Sequence, residues 1–482
     1  MAGDAGAQRI RGGRGALKRR IAILGGGLAG IATAIRLLEA DCRPILIETS
    51  RRLGGRATSF DDPRTGEVLD NCQHVLMGCC TNLLDLYQRL GVTDAIQWHR
   101  SVYWTAGRGE IDELKAGWLP APLHLAGSLR RMRLFSRHDR RHVAQAMWRI
   151  IRMGGRGRHA WADRTFAEFL ADCGQPDSVV RRFWDVIITS ACNIGVDRCG
   201  AAFALQVFQD GFLANRCSYT VGLPSTPLRA LYDPAIGLIE SGGGEVRFGC
   251  AVKALAFDGR RITGVNTADG LIEASAVVSA LPFDRLDKVI SDTLRRSDRR
   301  LQSLDRFEHS PILGVHLFFD RPIMTLPHLT VVDHGVQWLF NKGIDGGGRQ
   351  HVHAVISDAG AWMDLDEREI IARVVTDVHD VLPNAVGLPP VAARAVKERR
   401  ATFAPVPGID ALRPSAAPGI VGLGGGGVAN LFLAGDWTDV GWPATMEGAV
   451  RSGYAAAAAV TGRGGPAPDV PASMLSEALG LR

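Results

Sequence analysis

Gly25-Gly26-Gly27-Leu28-Ala29-Gly30 follows a short apolar run, Ile21 to Leu24, and opens into a helix-forming stretch, Ile31 to Ala40. Residues of these types in that order build a dinucleotide site. Gly25 permits the tight turn, Gly27 lets backbone N–H groups approach a pyrophosphate, and Gly30 lets helix and strand pack closely. The helix start, with Leu28 and Ala29, then faces the phosphates. Glu48 ends a second apolar strand, Pro44 to Thr49, where a carboxylate accepts hydrogen bonds from the adenosine ribose hydroxyls. The same glycine spacing recurs at Gly422 to Gly427, but an apolar strand, Leu431 to Ala434, follows it where a helix is needed. That second match reads as a loop.

A nicotinamide enzyme and a flavin enzyme can share these fifty residues, so three other segments decide between them. In Arg51-Arg52-Leu53-Gly54-Gly55-Arg56, Gly54 and Gly55 allow close backbone approach and Arg56 can reach a phosphate or the polar edge of a flavin. Leu433-Ala434-Gly435-Asp436 is a buried strand ending on a carboxylate. Gly441-Trp442-Pro443-Ala444-Thr445-Met446-Glu447-Gly448-Ala449 starts a helix whose positive end can stabilise charge on a reduced flavin.

These three segments resemble the FAD-binding segments of the flavin amine oxidase and phytoene desaturase superfamily, and the likeness spans nearly the whole ordered chain. The resemblance implies FAD as cofactor. It implies that Asp436, after Gly435, contacts the ribityl or pyrophosphate portion, that the Met446 backbone meets the isoalloxazine, and that Val252 lies beside adenine. Within the superfamily, Asp70-Asn71-Cys72-Gln73-His74-Val75-Leu76-Met77-Gly78-Cys79 and the segment Gly441 to Gly453 are most similar to the hydroxysqualene dehydroxylase family. Cys72 departs from it, standing where glycine is expected. That family removes the hydroxyl of a thirty-carbon allylic alcohol with reduced FAD and supplies squalene, often for hopanoid synthesis.

Loss of water from an allylic alcohol leaves a delocalised cation, which hydride from reduced flavin quenches in a water-poor pocket. The protein must supply a proton donor and cation-tolerant walls. The resemblance places His74 near the flavin, and histidine can be protonated near neutral pH, so His74 is the expected donor. Trp184, Trp338, Phe340, Trp437 and Trp442 are the candidate walls. A carotenoid-type desaturase runs the hydride the other way, and the sequence leaves that direction open. An amine oxidase and a non-catalytic FAD-binding scaffold are further alternatives. A separate reductase or free reduced nicotinamide would regenerate reduced FAD.

The elements that must position these residues predict an α/β fold. A Rossmann-type FAD-binding domain (20–75, 222–284 and 425–465) is interleaved with an α+β substrate domain of mixed sheet and helices (76–221 and 285–424). The strands after the first two are read at Glu245 to Ala254, Ala276 to Ala280 and Leu431 to Asp436. Helices are read at Leu228 to Ser241 and Ala444 to Ala459, and Gly314 to Phe319 alternates as an antiparallel strand does. A basic extension (1–19) and a proline- and alanine-rich tail (466–482) are expected to be loosely attached.

At 482 residues, 46% apolar and 22% charged, the chain can bury a large core. Its nine cysteines contain no C-x-x-C pair, which argues against zinc and for reduced thiols in a reducing cytosol. No signal peptide or spanning run is readable. Net charge is only +6, yet ten arginines fall between Arg130 and Arg158 with Leu134, Phe135, Met147, Trp148, Ile150, Ile151 and Met153 interleaved. That pattern suits a basic amphipathic helix on the anionic inner face of the cytoplasmic membrane, and equally a solvated arginine face on a packed helix. No nucleic-acid recognition motif accompanies it.

Overall fold

The computed structural model describes residues 19–419 and 426–481. Residues 1–18 of the expected basic extension and most of the Gly422 to Gly427 run lie outside them. Ile21 to Leu24 have none of their surface exposed, and their strand, Arg20–Leu24, sits at the centre of a five-stranded sheet. In order across the sheet the strands are Glu245–Arg247, Arg43–Ile47, Arg20–Leu24, Ala276–Ser279 and Leu431–Leu433, every neighbouring pair parallel. Burial on both faces explains why these strands read as unbroken apolar runs.

Helix Leu28–Glu39 covers one face and packs on helix Met446–Thr461. Gly453 makes the crossing possible. A Cβ there would lie 2.4 Å from the Ala29 carbonyl oxygen, and Thr33 Oγ1 donates to that same oxygen at 2.7 Å.

Several boundaries differ from the sequence reading. The first helix begins at Leu28 rather than Ile31, so Gly30 lies inside it, and the second strand ends at Ile47, leaving Glu48 in the following loop. The helix expected over Leu228 to Ser241 is two, Leu228–Tyr232 and Pro234–Ser241, because Pro234 cannot donate a backbone bond and begins a new helix instead. The strand expected over Glu245 to Ala254 also divides. Glu245–Arg247 edges the parallel sheet, whereas Val252–Phe257 belongs to a three-stranded antiparallel sheet, with Gly249 turning the chain between them at φ +65°. Helix Met446–Thr461 starts two residues late because Thr445 caps it, its hydroxyl accepting from Gly448 N–H at 3.0 Å.

A seven-stranded sheet stands opposite. It runs Ala392–Phe403, His309–Phe319, Gln350–Ser357, Trp338–Ile344, His328–Val331, Ser101–Thr105 and Asp112–Lys115, antiparallel except where His328–Val331 meets Ser101–Thr105. Strand alternation sends Val315, Leu317 and Phe319 into a core with helix Glu367–Val381, and Gly314, His316 and Phe318 to the other face.

The arginine-rich stretch is two helices, Ala126–Arg131 and Arg137–Gly157, the second capped by Ser136 and kinked at Gly154. Its apolar stripe, Val143, Ala146, Ile150 and Ile151, packs inward, leaving Trp148 as the large apolar side chain on its outer face. Arg140 donates to the Phe135 and Arg130 carbonyls, Arg149 pairs with Asp172 at 2.5 Å, and Arg158 pairs with Asp210 at 3.4 Å.

The tail expected to be flexible is docked over residues 466–481. Ala467 N–H donates to Asn82 at 2.6 Å, Asn215 Nδ2 donates to the Pro471 carbonyl at 2.8 Å, Asp469 pairs with Arg451, and Leu481 is buried. Its sequence resembles a linker because two of these bonds use the tail's own backbone groups, at Ala467 and Pro471, which leave no mark in composition.

Candidate active site

Between the two sheets lies a cavity of about 930 Å³, within the range of small-molecule sites. Its dinucleotide end is built at the first parallel strand. Gly25, at φ +101°, donates its N–H to Ile47 O at 2.8 Å and turns the chain into the helix. Among the residues expected to bind the cofactor, Gly30 is the one that does not line the cavity. A Cβ on Gly30 would lie 1.9 Å from Gly25 O, so its part is to let the helix approach the turn.

Leu28 and Ala29 do line the cavity, at the start of a helix whose cap, Gly27, offers no side-chain hydrogen bond and whose first turn has no acid. The first N–H groups of a helix have no partner within it, so these donors fit a pyrophosphate. Gly55, at φ +61°, closes the cradle, since a Cβ there would sit 3.0 Å from Gly27 Cα. Glu48 is fixed before any ligand arrives: Gly26 N–H donates to Oε2 at 2.6 Å and Ser50 N–H to Oε1 at 2.7 Å. Both carboxylate oxygens keep lone pairs for ribose hydroxyls. Val252 lines the same end from its antiparallel strand.

At the other end the structure joins residues 380 positions apart. Arg56 Nη2 donates to Asp436 Oδ1 at 2.6 Å and Nη1 to the Ala401 carbonyl at 2.7 Å. Gly435, at φ +134°, donates to Ser452 Oγ at 2.7 Å, and a Cβ there would run into the Trp437 indole at 2.6 Å. Met446, at the first turn of its helix, also lines the cavity. The glycine cradle, the open helix start and the fixed acid fit FAD. When bound, FAD supplies hydride chemistry.

His74 lines the cavity with Nδ1 3.0 Å from the Cys72 carbonyl oxygen. Only an N–H can bond a carbonyl, so the neutral ring carries its proton on Nδ1 and presents Nε2 as an acceptor. Burial lowers its pKa; the Cys72 carbonyl and Asp70 oppose that, and Arg56 and Lys342 add to it. The surroundings thus work against the protonated form that a donor role requires. Gln73 beside it is set by Lys342, whose ammonium donates to Gln73 Oε1 at 3.0 Å and Asp70 Oδ2 at 3.2 Å.

The remaining wall is apolar and comes from the seven-stranded sheet: Val102, Trp104, Trp338, Phe340 and Val355. Trp338 and Phe340 stack at 5.5 Å, and Trp338 Nε1–H donates to Ser190 Oγ at 2.6 Å. Trp437 and Trp442 also line the cavity. Trp184 does not; it is buried against Phe166, Phe183 and Phe208, so it is core and not wall.

Sequence reasoning missed Asn71, whose Nδ2 donates to the Arg56 carbonyl, and Lys342. Asn71 stood inside a motif already noted. Lys342 had no local signal, being 269 residues from Gln73.

The chain matches the family described as flavin containing amine oxidoreductase over residues 28–461. It is 28% identical over 466 residues to the hydroxysqualene dehydroxylase of Rhodopseudomonas palustris, covering 93% of this chain and 100% of that one. It is 25% identical over 465 residues to the 15-cis-phytoene desaturase of Synechococcus elongatus, covering 92% and 96%. A solved putrescine oxidase double mutant shares the fold, with a TM-score of 0.70 at 16% identity over 93% of this chain and 100% of that one. A cavity that accepts FAD at a glycine-cradled helix start, in a chain matched over nearly its whole length, makes this protein an FAD-dependent member of the flavin-containing amine oxidoreductase family.

Proposed function

We propose that the protein removes the hydroxyl of hydroxysqualene, giving squalene. The observation that carries this reading is the pairing of a long apolar wall with Gln73 and His74 on the same cavity. Gln73 donates one amide N–H to the His74 carbonyl and keeps the other to donate, and neutral His74 has Nε2 to accept. Together they complement a hydroxyl, which both donates and accepts. A pure hydrocarbon would leave them unpaired, and sites that pair a hydroxyl discriminate strongly against ligands lacking it.

The step balances as loss of hydroxide from carbon, its departure as water with one added proton, and formation of one C–H bond from a hydride. Trp338 and Phe340 present π faces suited to the allylic cation formed when the C–O bond breaks, and the apolar wall excludes water that would recapture it. The neutral ring holds the alcohol, and the proton is proposed to come from Nε2 of the minor protonated form of His74 as the C–O bond breaks. A reductase that renews the reduced cofactor is part of the same proposal.

The test is anaerobic mixing of photoreduced holoenzyme with hydroxysqualene. Flavin reoxidation with squalene as product is expected. Reduction of oxidised flavin by phytoene, with no response to the alcohol, would replace this reading with desaturation. No response to either would leave the FAD structural.

A further inference from the structure

Trp118 is 87% exposed, and so is Met474. They belong to one patch although 356 positions separate them: Ser473 Oγ donates to the Ala121 carbonyl at 2.6 Å, tying the Met474 helix to the loop that carries Trp118 and the exposed Leu123. The loop is firmly built. Gly117 N–H donates to the His124 carbonyl at 2.7 Å, Ala116 N–H donates to the Tyr219 hydroxyl at 2.8 Å, and the His124 and Tyr219 rings lie 5.7 Å apart. Tyr219 also lines the cavity, so the loop is bonded directly to the cavity wall.

Lys115, Arg130, Arg131 and Arg216 are exposed around the patch. Arg216 donates to the Trp118 carbonyl at 3.4 Å and Arg131 to Ser128 Oγ at 3.5 Å, and no carboxylate pairs with any of the four among the described residues. Glu477 is the acid on the Met474 helix. Protruding apolar side chains, one of them tryptophan, ringed by unpaired cations match the headgroup boundary of an anionic bilayer. The kinked helix Arg137–Gly157 is a poorer match, since its apolar stripe faces the core. Among the described residues no helix is long and apolar enough to cross a membrane.

We propose that the Trp118–Leu123 loop and Met474 seat in an anionic lipid surface, with the four cations on headgroups, and that lipid substrate reaches the cavity past Tyr219. The entry route rests on the substrate reading above; the docking does not. The test uses FAD-loaded full-length protein and vesicles of phosphatidylcholine with or without phosphatidylglycerol. Sedimentation with the anionic vesicles is expected, and Trp118→Ser with Met474→Ser should lower it about tenfold or more. Trp148→Ser should leave it unchanged. Leu123→Glu gives the same loss through a separate substitution if the double variant fails to hold FAD. Wild-type binding by both Trp118→Ser/Met474→Ser and Leu123→Glu, or a loss confined to Trp148→Ser, overturns the proposal. So does a wild-type dimer that the double variant splits without change in vesicle binding. Because this arm needs no substrate, vesicle binding without squalene formation would sink the substrate reading alone, and the reverse would sink the docking alone.

Discussion

The parallel sheet meets the cavity with its strand ends, whereas the seven-stranded sheet meets it with its face. Gly25 follows the first parallel strand, Glu48 the second, Ala280 the fourth and Gly435 the last, all at carboxyl ends, where open α/β sheets gather loops for ligands. Such ends offer backbone N–H groups and short charged side chains. The opposite sheet offers a broad surface on which Trp104, Trp338, Phe340 and Val355 stand side by side. Charge recognition needs directional donors fixed by backbone, and enclosure of a lipid needs area without donors. One cavity contains both because two different sheet geometries border it.

The largest test of this contrast is Gly30→Val. Its Cβ would meet backbone and not a movable side chain, so the expected product is colourless protein that FAD does not reconstitute, read by flavin absorbance. A yellow, stable variant would show that the strand-end geometry is not required.

His74→Gln sits where the two regions meet. FAD content should be kept while reoxidation of reduced flavin by hydroxysqualene slows about a hundredfold, the usual worth of an acid or base. Because burial lowers its pKa, the acid form grows only below the ordinary histidine value of about 6.5, so the wild-type rate should rise as pH falls through and below that value. A flat profile with a mild variant would remove His74 from the chemistry.

Glu48→Ala should weaken FAD binding about ten- to a hundredfold, because hydrogen bonds to a charged group contribute roughly 1.5–3 kcal/mol each. Titration of apoprotein with FAD checks it, and an unchanged affinity would mean that the Gly26 and Ser50 bonds, not ribose, account for the acid.

The smallest effect concerns acid stability and separates the sheets. His316 and His328 are held down to about 4 and His351 to about 2, in each case chiefly by burial, and all three belong to the seven-stranded sheet. Below the unfolded value of about 6.5 the unfolded chain takes up protons that the folded chain refuses. Stability therefore falls as pH drops from about 6.5 towards 4, continues to fall towards 2 through His351, and is unaffected by these groups above about 7. His328→Phe should flatten that fall in melting curves; an equally steep fall would place the acid sensitivity elsewhere.

The strand-end half was readable because its constraints are local. A glycine that must turn, a helix that must start and an acid that must follow a strand leave residues at fixed spacing, and Gly25, Glu48, Arg56 and Asp436 all reach the cavity. The face half was not readable in the same way. Trp184 and Trp338 look alike as tryptophans, yet one sits in the helical segment Val180–Asp185 packed among phenylalanines, whereas the other stands on a sheet strand and lines the cavity, a difference set by tertiary packing between distant segments. Lys342 and the docked tail escaped for a related reason: their partners, Gln73 for the lysine and Asn215 and the Ala121 carbonyl for the tail, are hundreds of positions away.

Gly25 and Asp436 border the same cavity, and Arg451 at the far end of the chain holds Asp469. During synthesis the glycine turn emerges long before the last parallel strand, Leu431–Leu433, and the helix that starts at Met446. A nascent chain thus has only the glycine half of its cofactor site until that strand and helix have followed. The complete cradle, with Gly25 on one side and Asp436 on the other, exists only after both halves have been made.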